Sequence, residues 1–359
     1  MEKTQRCSLM VFFFLIMFGG HGFAQEVKVK NSLSLTFCGR VQLQHLYNNN
    51  IGSDDAKTNN GFRMRRVRLQ MDGKLTAFLS GKIQIDIRDN SPRLKDAEGK
   101  LRLFENYYFR FGQFKVPVWR EEFIRSSGNL ILVERSMAAG FLEENLLSAR
   151  HVGIEFHGAP ADAISFTLNF SNGAGEGISE IEKNKTVRVN NGKMVTGRID
   201  VGFSENLRMG ISGAFNQTGH RLDTLDATGQ NRVIAPDLGL YLPGGLDLEA
   251  AVGFGELNRY FIESAVDQSF TIADISARWK QMNEKPCDEL GGLSGYEFAA
   301  GFSMIDLDDD FGSEISLRFG PALYFGKQSR LQTNLELVDP ARESEDSYWK
   351  IRSQFTVNL

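Results

Sequence analysis

The chain is poor in the residues that build most chemical centres. Its 359 residues include three cysteines and five histidines, and no charge of one sign dominates: Lys+Arg 41 stand against Asp+Glu 45, a net charge of −4. That balance, with no basic tail, argues against a nucleic-acid partner. Cys7 lies near the start, so Cys38 and Cys287 are the pair left for the body of the chain. No pair has zinc spacing, and these two either form one disulfide in an oxidising compartment or stay unpaired. An outer-membrane lipase would need a nucleophilic serine beside a histidine, and beyond the N-terminal stretch only His45, His151, His157 and His220 are on offer. His151 and His157 fall on one strand face about 20 Å apart by strand rise. They cannot chelate one metal and read as solvated wall histidines. No cofactor is expected. Gly173-x-Gly175-x-Gly177 has no strand–helix context for cradling phosphate and reads as flexible loop. Long apolar runs are missing too: no segment approaches the roughly 20 residues of a spanning helix.

What is present begins with a leader. Lys3 and Arg6 precede the apolar stretch Leu9 to Phe18, and Gly22-Phe23-Ala24 is a small-x-small cleavage site. Residues 1–24 therefore read as a secretory signal peptide and 25–359 as the mature protein. The mature part alternates at period two. At the C-terminus Trp349, Ile351, Phe355, Val357 and Leu359 share one face, and Lys350, Arg352, Gln354, Thr356 and Asn358 the other. Ile83-Ile85-Ile87, Ile164-Phe166-Leu168-Phe170 and Ile199-Val201-Phe203 repeat the pattern. Short alternating segments between turn residues are the signature of a transmembrane β-barrel. A polar lumen accounts for the low mean hydropathy of −0.27. Sixteen antiparallel strands are predicted, between 33–46 and 348–359, with short and long connections alternating. The stretch 280–294 is the exception, long in a short-turn slot.

The alternation lapses for longest at 117–149, after Gly112-Gln113-Phe114-Lys115-Val116-Pro117. A loop of that length in an all-β chain is usually functional. It is predicted to fold inward as a constriction, with a turn or two of helix over 119–133. The face rule sends Arg66, Arg68, Lys82, Arg110, Arg198, Arg278, Arg318 and Arg352 to the lumen, since an Arg or Lys on the lipid face at mid-membrane costs about 2–4 kcal/mol. Arg63 and Arg65 are expected at the membrane edge, near headgroups or lipopolysaccharide phosphates. Inward carboxylates such as Asp86, Glu155, Asp200, Asp274 and Glu297 are slightly fewer than inward cations. The expected anion-binding and lumen residues are Arg66, Arg68, Arg110, Lys115, Arg125, Arg135 and Arg198. Guanidinium suits phosphate through bidentate contacts. The competing account is that arginines and carboxylates pair across strands and merely line a wet wall.

Three motifs in order give a resemblance: Phe62-Arg63-Met64-Arg65-Arg66-Val67-Arg68-Leu69, then Phe109-Arg110-Phe111-Gly112-Gln113-Phe114-Lys115-Val116-Pro117, then Val133-Glu134-Arg135-Ser136 followed by Arg150-His151-Val152-Gly153-Ile154. They resemble the phosphate-selective porins of the O and P type. The resemblance implies a sixteen-stranded outer-membrane barrel of a Gram-negative cell, usually trimeric, whose third loop folds into the lumen and whose arginines and lysines guide small anions. Lipid and lipopolysaccharide would surround it. Two features depart from that family: the chain ends in Leu359 rather than an aromatic residue, and the loop carries Glu121, Glu122, Glu134, Glu143 and Glu144 beside Arg120, Arg125 and Arg135. Two functions follow, a passive anion-leaning porin or a plugged, surface-binding or structural barrel.

Overall fold

The computed structural model describes residues 25–30, 33–49, 60–88, 91–177, 192–222, 225–259, 266–285, 287, 292–308, 312–326, 329–340 and 346–359. The expected signal peptide lies outside them. The strands are Gln25–Lys30 (β1), Leu33–Asn48 (β2), Asn60–Lys74 (β3), Leu79–Asp86 (β4), Arg93–Phe104 (β5) and Tyr107–Lys115 (β6). Next come Arg150–Ala161 (β7), Ile164–Ser171 (β8), Met194–Gly202 (β9), Leu207–Leu222 (β10), Leu225–Leu242 (β11) and Leu246–Arg259 (β12). The last are Val266–Met282 (β13), Leu293–Leu307 (β14), Ser313–Phe325 (β15), Ser329–Asp339 (β16) and Tyr348–Asn358 (β17). Two helices, Arg120–Ile124 (α1) and Met137–Glu144 (α2), lie in the long loop.

Each strand from β2 on pairs antiparallel with the next, and β17 returns to β2 with Gln354 opposite Gln44 and Thr356 opposite Gln42. The result is a closed barrel of sixteen strands. Closure leaves no unpaired edge in the membrane, which an open sheet would. β1 lies outside this count and folds back antiparallel on the foot of β2, Gln25 opposite Phe37. The difficult stretch at 280–294 shrinks because β13 runs to Met282 and β14 starts at Leu293. Cys38 and Cys287 are not bonded to each other.

The period-two faces hold. Leu69, Ile83, Ile154, Leu168, Phe170, Ile199, Ile275 and Phe355 are exposed on the outside, while Gln42, Gln44, Gln354 and Thr356 are buried inside. Two local irregularities matter for the interior. In β3 the register shifts between Gln42 and Leu43, so that Arg66 faces Gln42, Met64 faces Leu43, and Arg65 is the extra residue. A bulge of this kind reverses the alternation beyond it. In β11 the bridging to β12 lapses at Ala235 and Pro236, where proline has no N–H to give.

Candidate functional site

The long loop is inside the barrel. A backbone in that position must find partners for its N–H and C=O groups, and inward side chains of the wall provide them. Arg330 donates to Leu130 O (2.7 Å), Gln332 to Ile131 O (3.2 Å), and Asn334 Oδ1 accepts from Val133 N (2.6 Å). On β10 and β11 Asn216 donates to Leu146 O (2.8 Å) and Asn231 donates to Asn145 O (2.9 Å), and on β14 Ser303 Oγ accepts from Ala138 N (3.2 Å). Gln42 donates to Ser127 O at 3.1 Å, and Arg40 and Arg68 donate to Ser127 Oγ at 3.1 and 2.8 Å. The loop is thus held by β2 and β3 and by strands from β10 to β16.

An apolar seam completes the anchorage. Val116, Val118, Trp119, Ala138, Ala139, Leu142 and Leu147 of the loop pack on Met194, Ala214, Val233, Ala235, Leu257, Phe270 and Ile272 of the wall. Phe270 and Ile272 face inward although the lumen is expected to be polar; β13 is apolar on both faces because protein, not water, covers its inner side there. Trp119 is fully buried with φ 63. The wall makes room for it at Gly253, where a Cβ would come within 3.3 Å of the indole and 2.9 Å of Ile272. α2 starts at Ser136, whose hydroxyl accepts from Ala139 N and donates to Glu121 (2.7 Å). α1 lies within the stretch expected to hold helix; α2 lies beyond it.

All seven expected cationic residues are in or against the lumen, and all seven are paired. Arg66 meets Glu134 (3.3 Å) and Arg68 meets Asp86 (3.2 Å). Arg110 joins Glu155 (2.7 Å) and Glu98 (3.3 Å), and Lys115 joins Glu122 (3.1 Å). Arg125 joins Glu249 (2.9 Å), Arg135 joins Glu122, and Arg198 joins Asp237 (2.6 Å) and Asp200 (2.7 Å). Exposure divides them. Arg120, Arg198 and Arg330 are sealed, with side chains 3%, 0% and 2% exposed. Lys82, Arg65, Lys115 and Arg135 are wetted, at 27%, 23%, 17% and 17%. Much of the wetted charge lies along β3–β7, where Lys95 also pairs with Glu176 (2.7 Å) and Arg150 with Asp96 (2.6 Å); Arg352 of β17, at 18%, and Arg208 of β10 are open as well. Arg66, Arg125 and Arg198 lie with the sealed group.

Three expectations fail. Arg63 and Arg65 do not point to the membrane edge. The β3 bulge turns them inward, where Arg65 binds Glu134 through two nitrogens and Arg63 donates to Gln44 Oε1 at 2.8 Å. His151 is not a solvated wall residue: it is buried, contacts Ser148 O at 3.0 Å, and accepts from Gly175 N at 3.2 Å. Gly173, Gly175 and Gly177 are not slack loop. All three take left-handed φ (72°, 93°, 74°), and Gly177 N donates to Gln113 Oε1 at 2.7 Å. The rest of that loop, 178–191, lies outside the described residues. Sequence reasoning also missed the central role of Glu134. Its only signal was a carboxylate in the loop of a chain with four arginines crowded on one strand.

The loop carboxylates respond to this setting. Burial alone would raise Glu134, but Arg66 and Arg65 with hydrogen bonds from Arg65 and Gln44 hold it far below the ordinary carboxylate range. Burial likewise works against Glu122, and Arg135 and Lys115 bring it down. Glu143 goes the other way: enclosure by the barrel, then repulsion by Glu122, push it up.

The closed sixteen-stranded barrel has known counterparts. Residues 36–199 match the family of phosphate-selective porins O and P. The resemblance read from the sequence holds over that segment, and the whole chain has the fold of a porin. An anion-selective porin from Comamonas acidovorans superposes with a TM-score of 0.68 at 13% identity, over 91% of this chain and 100% of that chain. The outer membrane channel DcaP of Acinetobacter baumannii gives 0.65 at 12%, over 95% and 100%. Outer-membrane expressed OmpT of Vibrio cholerae gives 0.64 at 11%, over 93% and 100%. No curated protein matches the chain. At these identities the superpositions establish the fold, a closed barrel of the porin type.

Proposed function

We propose that this porin passes small anionic solutes passively, phosphate or polyphosphate among them, through an off-centre path along β3–β7. The observation that carries this reading is the division of charge. The docked loop seals Arg120, Arg198, Arg318 and Arg330, and the wetted residues beside it include Arg65, Arg68, Lys82, Lys95, Lys115 and Arg135. Rings of lysine and arginine favour anions. Their carboxylate partners moderate the preference without cancelling it, because Glu134 and Glu122 are each shared among several cations. The similarity of the barrel to an anion-selective porin from Comamonas acidovorans is in keeping with this. Residues 1–24 act as a cleaved signal peptide in this reading. The barrel sits among lipid and lipopolysaccharide as a homotrimer; OmpT of Vibrio cholerae, at a TM-score of 0.61, has a trimer form.

The test is single-channel conductance in a planar bilayer, with the reversal potential in a salt gradient and phosphate titrated against chloride. Open channels with an anion-directed potential and block by phosphate are expected. Open channels without block would leave a general anion porin. A second reading, a plugged barrel, draws on the loop reaching wall strands on both sides of the lumen. A folded barrel that never conducts would establish it in place of the first.

A further inference from the structure

The carboxylate of Glu134 is the most heavily shared anion on the loop. Arg65 reaches it through Nε and through Nη2 (3.0 Å), Arg66 Nη2 lies at 3.3 Å, Gln44 Nε2 donates at 2.9 Å, and Arg63 Nη2 stands at 3.9 Å. Its backbone oxygen accepts from Arg318 at 3.0 Å. Three guanidiniums thus share one negative charge. Two of them face the lumen only because of the β3 bulge. The Glu134 side chain is 15% exposed and its neighbour Arg63 48%, so the group borders water rather than lying under the sealed seam.

We infer that Glu134 is a specificity-determining residue of the channel: a built-in counter-charge that caps the Arg63–Arg65–Arg66 cluster and sets how strongly the path favours anions. The inference rests on the channel reading above. This carboxylate is one of several holds on the loop. Arg330, Gln332 and Asn334 hold Leu130 to Val133 just before it, and Ser303 holds Ala138 just after. Removing the charge while keeping the shape therefore uncaps the arginines and leaves the constriction in place.

Glu134→Gln and Glu134→Asp are compared with the full-length parent in planar bilayers, with folding checked by heat-modifiable gel migration. Glu256→Gln, an exposed outward ion pair with Arg232 (2.6 Å), is the control. Glu134→Gln is expected to raise the chloride-to-potassium permeability ratio about twofold to threefold, the size of one unit charge acting through water over several ångströms. Its single-channel conductance stays close to the parent's, and Glu134→Asp and Glu256→Gln keep the parent ratio. A folded, conducting Glu134→Gln channel with an unchanged ratio would overturn the inference. So would one with larger conductance and weaker ion discrimination, since that pattern marks a released loop. A parent barrel that never conducts fails the channel reading first, and the inference falls with it.

Discussion

Glu143 and Trp119 carry predictions that belong to single residues. Glu143 faces the lumen and its carboxyl is pushed up, whereas Glu122 and Glu134 are held down. As pH falls from neutrality, Glu143 protonates before an ordinary carboxylate of pKa about 4.3 would. The path loses one negative charge, so anion preference rises as pH falls toward the carboxylate range, and Glu143→Gln diminishes that rise. Reversal potentials measured as pH falls from neutrality into that range check this. The depressed carboxylates run opposite: their contribution to docking the loop is present above the ordinary carboxylate value and is lost only as pH falls through their lowered values. The same acidification therefore leaves the loop in place. Trp119 is the largest apolar group of the seam, and Trp119→Ala should cost the docked loop about 3–5 kcal/mol. Faster proteolysis within 117–149 and noisier, larger conductance are the expected readouts.

At the scale of the element, the loop is a folded unit and not a tether. α2 has a side-chain cap at Ser136, and the same hydroxyl ties it to Glu121 of α1. Ser136→Ala removes both bonds. A lost N-cap costs about 0.5–2 kcal/mol, so amide exchange should quicken in the first turn of α2 while the barrel strands stay protected. The β3 bulge is the other decisive element. One extra residue changes which arginines a solute meets, and it turns Met64 and Phe62 outward in place of Arg65 and Arg63.

For the whole molecule, the proposed selectivity rests on charges that border water, so it is open to screening. The Debye length shrinks from about 10 Å at 0.1 M salt to about 3 Å at 1 M. The anion preference should therefore weaken markedly over that range at a constant gradient ratio, and reversal potentials measured at both ends check it. A selectivity indifferent to salt would point instead to direct contact between the solute and desolvated arginines.

How much of this was legible depends on the range of the interaction. Side-chain alternation is local, and a charge facing lipid is costly, so the sequence alone determined the barrel, its sixteen strands, the inward side of Arg66, Arg68, Arg110 and Arg198, and the position of the inserted loop. The motifs from Arg63 to Arg150 determined the family resemblance for the same reason, being contiguous. Tertiary structure decided the rest. Whether Arg63 and Arg65 face lipid or lumen turns on one bulge residue, set by how β3 pairs with β2 and invisible to a count by twos. Whether Phe270 and Ile272 could face inward turns on Trp119 and α2 arriving from more than a hundred residues away. Which cations are wet and which sealed turns on where the loop crosses the lumen, and Glu134 gains its three arginines only when β3 and the loop are brought together by the closed barrel.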